Sequence, residues 1–187
     1  MAVPAGSPDL EERIAGYLRT HHTMTVATCG CGEAGAAATT TATTTSAAAS
    51  SGGGGVASAG MPHAASVFYA VDDALRLLFL SKPSSAHGVH IGNCAHVAAT
   101  ITEEYTDWNA IQGIQVWGEA RRLTGRAEAQ GLALYLKRFP FARELLSRPD
   151  RVALARDIGV YRVEPNRFAF TDNTTGVFGR ELLLMME

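Results

Sequence analysis

Three serines, a lysine and two histidines crowd the stretch Leu80-Ser81-Lys82-Pro83-Ser84-Ser85-Ala86-His87-Gly88-Val89-His90, just where an apolar run ends. Hydroxyls at the junction of a strand end and a helix start suit an anion such as phosphate. The first N–H groups of a helix lack intrahelical acceptors, and the helix dipole favours negative charge there. The same serines would also serve as a helix cap and a turn. Elsewhere the chemistry-bearing residues are scattered. Cys29-x-Cys31 stands alone among Ala and Gly, without the second ligand cluster that a zinc site needs, so no metal site is expected. There is no Gly-x-Ser-x-Gly elbow and no Gly-x-Gly-x-x-Gly or Walker loop, and the glycine run 52–55 has neither a strand before it nor a lysine after it. Nucleophilic hydrolases and the common nucleotide-binding folds are therefore poor fits.

With 187 residues, the chain is expected to form one domain around a sizeable core. Charged residues make up 18% and the net charge is −2. No basic field calls for nucleic acid or an anionic membrane, and small-molecule or protein partners are favoured. The first residues lack the charged-then-apolar pattern of a signal peptide, and no run is long enough to span a membrane. A cytoplasmic location is expected, and Cys29, Cys31 and Cys94, which cannot all pair, agree with a reducing compartment.

The elements that must position Ser81 to His90 can be read from periodicity. Ser7-Pro8 begins a helix with Leu10, Ile14, Tyr17 and Leu18 on one face. Residues 23–28, 62–71, 75–80 and 96–102 alternate as half-buried strands, and Asp72-Asp73 turns the second into the third. Ser84 or Ser85 caps a short helix. Residues 111–123 form a long strand in which Gly113 and Gly118 suggest bends or a close backbone approach. Thr124 caps a helix that Pro140 ends, and "FARELL" adds a further turn or two. "IGVYRVEP", "RFAFTD" and "RELLLMM" close the chain as short strands separated by Pro-Asn and Asn-Thr-Thr-Gly turns. Residues 29–60 are almost entirely Gly, Ala, Ser and Thr, and read as a flexible low-complexity insert joining two strands of a hairpin. Strands joined mostly by short connections favour an antiparallel barrel with peripheral helices.

Three of these stretches, "PHAASVFYAVDD", "LRLLFLSKPSSAHGVHI" and "GIQVWGEARRL", together resemble the pyridoxamine 5′-phosphate oxidase-like FMN-binding split-barrel proteins. "RFPFAR" and "FTDNT" resemble an uncharacterised branch of that group. The likeness covers nearly the whole chain outside 29–60 and 147–157. It implies a six-stranded Greek-key split barrel, a homodimer and FMN in the groove between subunits. Carried over by position, Ala65, Ser66 and Val67 would pass their backbone along the flavin ring. Leu80 and Ser81 would end a strand beside the cofactor, and Ser85 would belong to the phosphate loop. His87 stands where the family usually has lysine, exchanging a fixed charge for a group mostly neutral at pH 7. The flavin-edge glutamine falls on Gly113, with Gln112 beside it and Gln115 on the same strand face as a substitute. The activity implied is FMN-dependent oxidation or reduction of an unidentified small molecule, with no residue assigned as catalytic acid or base. The pyridoxamine-phosphate-binding Arg/His segment is not recognisable in "RELLLMME". Two alternatives stand beside this reading: a related barrel binding haem, for which His63, His87, His90 and His96 offer ligands, or a deazaflavin, and a non-catalytic ligand-binding dimer.

Overall fold

The computed structural model describes residues 8–30, 61–148, 150, 157–176 and 179–185. Its elements are α1 (Pro8–Thr20), β1 (Thr23–Cys29), β2 (Pro62–Val71), β3 (Leu77–Ser81), α2 (Ala86–Asn93), β4 (His96–Thr102), β5 (Gln112–Arg122), α3 (Gly125–Arg138), α4 (Pro140–Ser147), β6 (Gly159–Asp172) and β7 (Arg180–Leu184). The strands lie in the order β3-β2-β1-β4-β5-β6-β7, all antiparallel, and β3 also pairs with β6. That pairing closes six strands into a barrel and leaves β7 as an extra strand outside β6, as the alternating runs led us to expect.

Period-two alternation puts Met24, Val26, Tyr69, Leu77, Phe79, Ile101, Ile114, Val116, Val163 and Phe168 inside, almost wholly shielded. Each such side chain contributes about 1.5–3 kcal/mol relative to staying in water. The connection from β3 to β4 skips β2 and β1 and crosses one mouth of the barrel through α2. The other mouth is covered by α1, whose Leu10, Ile14, Tyr17 and Leu18 are buried. There Tyr17 Oη donates to Gln112 O at 3.0 Å and Tyr69 Oη to Leu18 O at 2.8 Å. The α3 helix packs on the outside of β3 over Leu78, Leu123 and Val160. A Cβ at Gly131 would lie 2.7 Å from Leu78 Cδ2, so a larger residue there would force the Leu78 side chain to shift.

Several expectations need correction. Residues 159–172 form one continuous strand rather than two separated by a Pro-Asn turn. Pro165 lacks a ladder donor, but it stands opposite Gly118 where the β5–β6 register shifts, and a bulge is where a strand tolerates proline. Gly118 is required at the same place, since a Cβ there would collide with the Glu164 carbonyl. Thr124 occupies the N-cap position of α3, yet its hydroxyl makes no capping bond. Cys94, after α2, is disulfide-bonded, which departs from the uniformly reduced thiols of a reducing compartment. Most of the insert, residues 31–60, lies outside the described residues. Its flanks pair as a hairpin, with Cys29 opposite Pro62.

Candidate functional site

Strand direction decides what meets at the mouth under α2. β1, β3 and β5 end there, while β2, β4 and β6 begin there, so the last or first inward-facing residues of the strands converge. These include Thr28, His63, Ser81, Arg122 and Tyr161, and α2 adds His87 and His90 from above.

Ser85 is the N-cap of α2 and accepts from Gly88 N at 3.1 Å, while its own hydroxyl donates to Lys82 O at 2.7 Å. That commitment orients the rest of the cluster. Ser81 Oγ, 3.1 Å from Ser85 Oγ, must donate to it, so His87 Nε2, 2.5 Å from Ser81 Oγ, must be the donor in that contact. His87 is thereby the Nε2–H tautomer, and its Nδ1 is a buried lone pair with no hydrogen-bond partner. Burial, then the neighbouring His63 and His90, holds the His87 pKa below its ordinary value, so the ring is neutral at pH 7. His90 Nδ1 lies 3.1 Å from Thr28 Oγ1, and its Nε2 is likewise buried without a partner. His63, half-buried, stacks on His87 with centroids 5.7 Å apart and meets His90 edge-on at 6.1 Å. Among the described residues no group of three His, Cys, Asp or Glu side chains is set to hold a metal ion.

The structure unites only part of the residues picked from sequence. Ser81, Ser85 and His87 form one hydrogen-bonded cluster. Ala65 and Val67 face into the barrel on β2 beyond His63, whereas Ser66 faces out and is exposed. Leu80 adjoins Ser81 but points outward, half-buried against α3. Gln112 sits at the opposite mouth, where its Nε2 donates to Asp172 Oδ1 at 3.1 Å. Gln115 lies on the outer face, and its Oε1 accepts from Arg180 at 2.6 Å. Register nevertheless links two of the expected residues, because Ser66, Thr25, Thr100 and Gln115 form one row across β2, β1, β4 and β5. Thr25, Thr100 and Gln115 also line a shallow outer cavity of about 190 Å³ with Ala27, Ala98 and Trp117. Arg167 lies over the Trp117 ring, its Cζ 4.0 Å from the centroid.

Of the four candidate haem ligands, His63, His87 and His90 cluster, while His96 is exposed and faces Glu119 at 3.8 Å. Sequence reasoning missed Thr28 and Arg122. Strand alternation carries the signal for both, since each continues an inward-facing series: Met24, Val26, Thr28 on β1 and Val116, Gly118, Ala120, Arg122 on β5.

No protein-family model matches the chain. It is 39% identical over 119 residues to a UPF0306 protein of Klebsiella pneumoniae subsp. pneumoniae, covering 63% of this chain and 73% of that protein. Among solved structures it is similar to HutZ, the heme storage protein from Vibrio cholerae, with a TM-score of 0.57 at 14% identity, covering 94% of each chain. A putative pyridoxamine 5′-phosphate oxidase from Listeria innocua superposes with a TM-score of 0.56 at 14% identity, over 86% of this chain and 97% of that one. At such identities the likeness to these structures shows the split-barrel fold alone.

Proposed function

The chain belongs to the UPF0306 family, and on that footing we propose that it is an FMN-binding oxidoreductase acting on a small organic molecule. The observation that carries this reading is the Ser81–Ser85–His87 cluster at the start of α2, where β3 ends. Hydroxyls, the first N–H groups of an eight-residue helix and the Lys82 ammonium are donors of the kind a phosphate takes. These residues fit the phosphate of FMN.

When bound, FMN supplies the electron and hydride chemistry through its ring system. The chain's own part is to hold and orient. Ser81 and Ser85 would turn their hydroxyls to phosphate oxygens, and His87 Nε2–H would keep Ser81 in place. Ala65, Ser66 and Val67 give a β2 wall, and the Ser66–Thr25–Thr100–Gln115 row offers hydroxyl and amide groups to a flat polar ring edge. The outer face around that row carries Ala27, Ala64, Ala98 and Thr100 and no charged side chain on β1, β2 or β4 between Ala64 and Thr100. We read this as the face on which a second copy packs, in a single-domain subunit.

The experiment is an absorption spectrum of the purified protein, followed by titration of FMN monitored by flavin fluorescence. Saturable binding that His87→Ala weakens more than His90→Ala is the expected result; no binding at millimolar FMN overturns the reading. One observation favours a second reading, a haem-binding barrel. His87 Nδ1 and His90 Nε2 are buried without partners beside the half-buried His63, and imidazole nitrogens are common haem ligands. An intense haem band in place of flavin bands selects it.

A further inference from the structure

We propose that Arg122 is the fixed cation of an anion-binding cavity beside α2, and that the group it takes is the phosphate of a small phosphate monoester. The ligand's identity rests on the flavin reading above, whereas the anion site rests on the cavity itself.

A cavity of about 540 Å³ lies between α2 and the ends of β5 and β6, with Pro83, Gly88, Gly92, Arg121, Arg122 and Tyr161 among its walls. This is the size range of small-ligand sites. Its two arginines differ in kind. Arg121 is ion-paired with Glu164, which also pairs with Arg162. Arg122 forms no ion pair among the described residues, although it stands at the end of the inward-facing series on β5, opposite Tyr161.

The path of the Arg122 side chain is built into the neighbouring strand. A Cβ on Gly159 would lie 2.7 Å from Arg122 Nε and 3.2 Å from Cδ, so the stem crosses β6 where a side chain is missing. Gly159 is in turn the cross-strand partner of Ser81. Arg122 therefore runs toward the strand end where the serine-rich turn begins, and Pro83 and Gly88 of that turn and helix line the same cavity. A guanidinium offers a planar fork of donors and keeps its charge at any physiological pH. It gives an oxyanion the permanent positive charge that the neutral His87 withholds.

The test uses the full chain and three probes: FMN, riboflavin and inorganic pyrophosphate. Arg122→Gln should raise the FMN dissociation constant about ten- to a hundredfold, the worth of one charge-assisted hydrogen bond. Riboflavin, which lacks the phosphate, should bind as before, and pyrophosphate binding should be lost. Arg143→Gln, an equal charge change on α4, should alter none of these. If Arg122→Gln binds FMN and pyrophosphate as tightly as wild type, the proposal is overturned. Where wild type binds pyrophosphate through Arg122 but neither flavin, the anion site stands and the flavin reading falls. Binding of no probe by wild type overturns both. Should Arg122→Gln fail to fold, Arg122→Met is read instead, since it keeps the apolar stem and loses the charge. A several-fold loss for FMN with none for riboflavin then supports the site, and equal affinity overturns it.

Discussion

His87 is held by one hydrogen bond on Nε2 and none on Nδ1, a poor arrangement for a charged imidazole. Burial, then His63 and His90, lowers its pKa in the folded protein. Below the ordinary histidine value near pH 6.5, an unfolded chain takes up a proton at this position that the folded chain refuses. Stability from this residue is thus full above about pH 6.5 and is lost as pH falls through the folded-state pKa. Urea unfolding at pH 7.5 and pH 5.5 should show a drop in wild type that is smaller in His87→Gln, whose amide can still bond to Ser81 but cannot titrate. Equal drops in the two proteins would remove His87 from the account. Asp172 reads in the opposite register, as a scaffold group. Burial alone would raise its pKa, but hydrogen bonds from Thr174, Gln112 and Arg13 outweigh it and hold the carboxyl below its ordinary value. Gln112 is thereby engaged at the mouth opposite the Ser81–Ser85–His87 cluster. Sequence proximity along β5 does not distinguish the two ends of a barrel. Arg122 was missed for a related reason: two consecutive arginines after an apolar strand read as its solvated end, and only the register with Gly159 and Tyr161 separates one from the other.

The element on which the site depends is the β3–α2 turn. Ser85 caps the helix, Lys82 O accepts from both Ser85 N at 3.0 Å and Ser85 Oγ, and Gly88 closes against the turn. A Cβ at position 88 would sit 2.6 Å from Lys82 O and 2.9 Å from Pro83 O, both backbone atoms with little room to move. Gly88→Ala should therefore cost about 1–3 kcal/mol by overpacking, despite alanine's better helix propensity. In a chain of this size that lowers the thermal midpoint by about 2–4 °C for each kcal/mol; an unchanged or raised midpoint would show that the turn yields. Most elements were legible because one face of each strand is buried, which forces strict alternation in residues such as Met24 and Val26 or Ile114 and Val116. The long β6 was not. Pro165-Asn166 carries a turn signature, and nothing local to it reveals that the pair is accommodated as a bulge within β6, opposite Trp117 and Gly118 of β5, where a missing donor is tolerated.

At the scale of the molecule, barrel closure fixes what each mouth does. α1 covers one with apolar side chains, and α2 covers the other with histidines and serines. The segment 31–60 springs from this second mouth, since its flanks, Cys29 and Pro62, are cross-strand partners. Hairpin register there is set by seven paired positions on β1 and β2, so the connection adds little specificity. Closure entropy grows only slowly with loop length. Replacing 32–58 by a short Gly-Ser linker, which leaves all three cysteines in place, should shift the thermal midpoint by no more than a few degrees, and a collapse in stability would show that the segment packs on the barrel. The barrel also separates the two tryptophans. Trp108 is 52% exposed in the turn before β5, and Trp117 sits half-buried under Arg167 on the outer face. In optical terms the chain carries two intrinsic lamps in different surroundings. Anything that settles over the Gln115 face, a ring or a second subunit, shields Trp117 from collisional quenchers and leaves Trp108 as it was, so occupancy of that face can be followed by emission without a label.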